Sequence, residues 1–198
     1  MTACGLRPRA PATGTLLALL LALATGLNAP GALADQRAPE LESLFRSLAE
    51  ASGLDAANAI EQRIWALWFD SPDSAAETLL TQARDTASGG DLDTALALFG
   101  ELTTRYPDYA EAWNQRAILH YLRGDLRSSL DDIARALELE PRHFGALAGR
   151  GQCYLRLDRP RESLAAFEAS LAINRWSLDV RRQAEMLRTY LDQQQTPI

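Results

Sequence analysis

The chain has 198 residues, 47% hydrophobic and 23% charged, with a net charge of −6. So much aliphatic content with so small a charge excludes a disordered chain and suits one globular domain with its own core. The acidic balance excludes a general binder of nucleic acid or of anionic lipid.

Residues 1–34 read as a signal peptide. Arg7 and Arg9 form a short basic region, and Leu16 to Ala24 is unbroken and apolar. Ala32-Leu33-Ala34 then supplies the small-x-small pattern of a signal-peptidase site. The apolar run is short for a hydrocarbon core of roughly 30 Å. Cleavage after Ala34 and export to a bacterial periplasm are expected, with no stable membrane insertion afterwards. An uncleaved anchor in the inner membrane is the alternative. Cleavage removes two arginines and no acid, which leaves a charge of −8 and Cys153 as the only cysteine. A lone cysteine forms no internal disulfide, so it is either a buried small hydrophobe or a bridge between copies.

Residues 35–75 give two helices, one marked by Leu41, Leu44 and Leu48, the other by Ile60, Ile64, Leu67 and Trp68. They form a degenerate helical hairpin. From residue 76 a period of 34 takes over: Gly90, Gly124 and Asp158; Ala95, Ser129 and Ser163; Phe99, Ile133 and Phe167; Pro107 and Pro141; Trp113 and Leu147. Within each period two amphipathic stretches meet at a turn. Leu126, Leu130, Ile133, Ala134 and Leu137 share one face, for example, and Pro141 follows the end. Small residues let the paired helices approach, and large ones fill the space between hairpins. Such hairpins bury their apolar faces only by stacking. Residues 178–198 close the chain with a capping helix and a tail, with Val180, Ala184, Leu187 and Leu191 on one side.

This spacing resembles the tetratricopeptide repeat (TPR) family, with units at 76–109, 110–143 and 144–177. The signal-like start makes it similar to an exported bacterial member. The middle unit carries the pattern best, through Trp113, Ala117, Ser129, Ile133, Ala136 and Pro141. Thr86 stands where an aromatic is usual and Arg175 where proline is usual, so looser packing is expected at both ends of the array. The resemblance implies an all-α, right-handed solenoid of helical hairpins.

No catalytic constellation is legible, and no cofactor or metal is expected. His120 and His143 lie 23 apart without metal-binding spacing, and "SGGDLD" at 88–93 lacks the phosphate-loop lysine. His143 shares its column with Tyr109, in the turn before a helix, where a capping or packing side chain belongs. His143→Gln is therefore expected to change stability by about 1 kcal/mol or less. Trp113→Ala should cost about 3–5 kcal/mol if the ring is buried between hairpins.

The resemblance assigns partner binding to the concave groove lined by first helices. The residues carried over are Glu111, Asn114, Ile118, Tyr121, Gln152 and Arg156, joined at neighbouring groove positions by Leu122, Gly145, Ala148 and Leu155. The implied partner is a protein or peptide and the implied role a non-catalytic scaffold. A self-assembling module is the alternative, and an enzyme using the groove a weaker one. The family's lysine-based carboxylate clamp is absent, because all 20 basic residues are arginine. Packing of Tyr121 and Leu122 against the N-terminal hairpin is the competing structural reading.

Overall fold

A computed structural model describes residues 32–195, with side chains over 39–194. Most of the expected signal peptide lies outside these residues. Nine helices make up the described chain: α1 (Ala32–Glu50), α2 (Leu54–Phe69), α3 (Ser74–Ser88), α4 (Leu92–Arg105), α5 (Ala110–Arg123), α6 (Leu126–Leu139), α7 (Phe144–Arg156), α8 (Pro160–Ile173) and α9 (Leu178–Gln195). Helices α3 to α8 pair as three antiparallel hairpins, and α9 packs on α8.

Capping explains where these helices start. The carboxylates of Asp91 and Asp125, one period apart, accept from the backbone N–H of Thr94 and Ser128 at the starts of α4 and α6. Asp73 accepts from Ala75 and Ala76, and the Ala76 bond is the main cause that lowers its pKa. The stops repeat as well. Gly90, Gly124 and Asp158 all adopt positive φ, at 88°, 86° and 56°. Glycine takes this conformation freely, whereas an aspartate there bears a steric cost.

Inside the hairpins the repeating small residues do more than make room. Ser129 Oγ donates to Ala117 O and Ser163 Oγ to Gly151 O, both at 2.8 Å, tying second helix to first in two successive units. Gly151 has no substitute, since a Cβ there would meet the Phe167 ring at 2.5 Å. Arg116 joins three helices: it grips both Asp132 oxygens at 2.6 and 2.7 Å and donates to Thr103 Oγ1 at 2.7 Å. Its guanidinium also covers Trp113, which is only half-buried rather than enclosed between hairpins. The ring packs against the cluster of Ala117, Ile133 and Ala136 without being fully buried, so the full burial on which the large cavity cost was conditioned is not met.

The hairpin α1–α2 differs most from a further repeat. Its buried Leu41, Leu44, Phe45, Leu48, Ile64 and Trp68 cluster with Phe144, and Ile173 and Trp176 pack against them. These partners are the first residue of α7, the last residue of α8 and a residue of the turn into α9. At the C-terminal end of α2, one residue after Trp68, the Phe69 carbonyl accepts from Tyr109 Oη at 3.0 Å, at the turn into α5. The hairpin is thus a strap along the column of inter-unit turns. It braces the array at its Arg175 end, one of the two where looseness was expected. Arg175 Nη2 donates to Ala51 O, Trp176 Nε1 to Leu48 O, and Asn174 Nδ2 to Glu61 at 2.8 Å.

Candidate functional site

His143 is fully buried. Its Nδ1 accepts from Ala146 N–H at 3.1 Å and so caps α7. That bond requires Nε2 to carry the proton, and Nε2 donates to Glu111 Oε2 at 2.8 Å. Trp68 stacks over the imidazole with centroids 4.1 Å apart, and Trp65 approaches it edge-on at 5.6 Å. The same Glu111 carboxylate accepts from Asn114 Nδ2 at 3.1 Å and from Gln115 Nε2 at 2.5 Å. A buried carboxylate needs such donors to offset lost hydration.

This network corrects one assignment. Glu111 has 0% of its side chain exposed and lies beneath the strap, so it is not a partner contact. Gly145 is likewise filled from within, because a Cβ there would meet Trp65 at 2.6 Å. The strap therefore covers the ends of α5 and α7 nearest these turns. It does not reach Leu122, which is 58% exposed.

Four of the remaining expected residues come together. Asn114, Ile118 and Tyr121 of α5 and Gln152 of α7 line a cleft of about 150 Å³, together with Ala117, Ser129, Ile133, Gly145 and Gly149. Asn114 is nearly buried but shows part of its surface to this cleft. Beside the cleft, Arg156 lies over the ring of its lining residue Tyr121 at 4.7 Å and donates to Tyr121 O at 2.7 Å. Arg156 thereby satisfies a carbonyl at the C-terminus of α5, which favours a cation. A second cavity of about 450 Å³ lies between α7 and α9, lined by Gln152, Leu155, Gln183, Met186, Leu187 and Tyr190. Gln152 Nε2 donates to Gln183 Oε1 at 2.6 Å between the two hollows.

Met186 and Tyr190 are the groove residues that sequence reasoning missed. They are 58% and 46% exposed, and they stand one period after Gln152 and Arg156. The period itself could have found them. On α9 the charged Arg181, Glu185 and Arg188 occupy the columns that a following second helix would cover. Met186 and Tyr190 continue the first-helix face of the array.

Elsewhere the polar groups have structural roles. Cys153 is buried, 3.2 Å from Ser129 Oγ, and burial pushes its thiol pKa up. A buried, protonated thiol is no bridge to a second copy. Among the described residues no group of three or more His, Cys, Asp or Glu is placed to hold a metal ion. No described helix is long and apolar enough to cross a membrane.

Comparison with known proteins follows the same geometry. The tetratricopeptide repeat family matches twice, over residues 80–138 and 116–175. A TPR repeat-containing protein of Rhizobium etli is 33% identical over 147 residues, which cover 74% of this chain and 72% of that one. The chain belongs to the tetratricopeptide repeat family. Anaphase-promoting complex subunit 7 of Dictyostelium discoideum is 30% identical over 91 residues, and tetratricopeptide repeat protein 36 of Bos taurus 43% over 63. The chain spans only 15% and 34% of those two proteins. Among solved structures, the first TPR of Spaghetti (RPAP3) bound to an HSP90 peptide superposes with a TM-score of 0.58 at 17% identity. It is matched over 96% of its length and covers 61% of this chain. The Yersinia enterocolitica type III secretion chaperone SycD, in complex with a YopD peptide, gives 0.57 at 11%, over 95% of its length and 60% of this chain. The expected all-α TPR solenoid is the fold of this protein.

Proposed function

We propose that this TPR protein is an exported, non-catalytic scaffold that holds a segment of a partner protein against the first helices α5, α7 and α9. One observation carries the reading: Asn114, Ile118, Tyr121 and Gln152 converge on one apolar cleft that no residue of the strap fills. The exposed Ile118, Leu122, Leu155, Met186 and Tyr190 extend it across three first helices. Mixed apolar and hydrogen-bonding surface of this kind suits an extended peptide. Two structural neighbours of TPR fold were solved with peptides bound.

Export rests on the basic, apolar and small-x-small regions of residues 1–34. Cleavage after Ala34 would remove the first three residues of α1 (Ala32–Glu50) and leave the rest of that helix. The test is a photo-crosslinking residue placed at Ile118 or Met186 in cells, with Asp131 and Arg161 on second helices as controls. Adducts with one protein at the first two positions and none at the controls support the reading. Adducts only at the controls would move the interaction to the opposite face.

A further inference from the structure

Gly149 sits in the interior of α7, where glycine costs about 1 kcal/mol relative to alanine. Nothing crowds it: a Cβ at this position would reach Ile133 Cδ1 at 3.6 Å, an ordinary contact. Gly145 and Gly151 on the same helix are different, since Trp65 and Phe167 fill the places of their side chains. What Gly149 leaves open is the α5–α7 cleft itself. Any larger side chain would project into a hollow of about 150 Å³, a volume that in an apolar cavity accepts a benzene-sized group.

The cleft and its surroundings have their own charge signature. No aspartate or glutamate lines it. Arg156 beside it is exposed, and no carboxylate pairs with it among the described residues. Only Nη1 of its guanidinium is committed, to the Tyr121 carbonyl. A positive group with spare donors, held on a residue that lines an apolar hole, complements an apolar side chain next to a carboxylate.

We propose that the cleft is a pocket for one apolar side chain of a partner segment, that Gly149 keeps it open, and that Arg156 pairs with an acidic residue adjacent to that side chain. The proposal rests on the scaffold reading above and deepens it. Gly149 sets specificity by its absence of a side chain, so its replacement removes binding without weakening the helix.

The test uses a displayed library of random twelve-residue peptides panned against the full chain. Enriched peptides should share an apolar residue beside Asp or Glu. Gly149→Leu should bind them at least tenfold more weakly at unchanged helix content, as should Arg156→Glu. Met186→Ala with Tyr190→Ala reports on the wider face. If that pair weakens binding while Gly149→Leu and Arg156→Glu do not, the pocket proposal is overturned and the scaffold reading stands. If no peptide is enriched, or if only Asp131 and Arg161 substitutions weaken binding, both fall.

Discussion

Trp68 and His143 stack with their planes 12° apart, joining a helix of the N-terminal strap to the turn between two repeats. The imidazole beneath Trp68 is fixed in its Nε2-protonated form by the Ala146 N–H and holds Glu111 by the other nitrogen. One side chain thus caps α7, satisfies a buried carboxylate and seats the strap.

His143→Gln should therefore cost about 2 kcal/mol or more, not the small change that a simple turn residue would give. An amide cannot reproduce both divergent ring nitrogens, and the stacked ring is lost, leaving a buried charge short of one donor. Denaturant unfolding measures this. A loss under 1 kcal/mol would show that the network contributes little.

Asp158→Gly should stabilise the protein by about 1 kcal/mol, because Asp158 holds the left-handed conformation that glycine takes in the two preceding units. A lower melting temperature in the variant would contradict this.

Acid should weaken the fold through His120. Burial is the largest cause of its lowered pKa, outweighing Asp132 and Asp125 nearby. The unfolded chain then binds a proton more readily than the folded one, so stability falls as pH drops below the usual histidine range near 6.5. His120→Gln should flatten the dependence of stability between pH 7 and 5 relative to the parent chain. Identical slopes for the two proteins would refute it.

The repeat hairpins were legible because each is local. A 34-residue spacing of Gly90, Gly124 and Asp158 marked the turns, and all three have positive φ. The strap was not legible, because its contacts join residues 40 to 128 positions apart, such as Phe69 with Tyr109 and Leu48 with Trp176. Gly145 looked like an open groove position, and only the fold reveals Trp65 in the space its side chain would take. One signal was available. Tyr109 and His143 share a column and both receive α2, the first through Phe69 and the second through Trp68.

Helix periodicity did place Asn114, Ile118 and Tyr121 together, since residues three and four apart share a helical face. It could not show that Glu111, on the same stripe, is spent inside the protein.

The measurement that tests the account most directly is the affinity of the crosslinked partner for the Tyr121→Ala, Arg156→Ala double variant. Tyr121 lines the cleft and Arg156 covers its ring, residue types that often dominate interfaces. Binding should weaken by at least about 2 kcal/mol, roughly thirtyfold, with helix content intact and Arg127→Ala and Arg161→Ala near parent affinity. Parent-like affinity in the double variant, with binding lost in the second-helix variants, would contradict it.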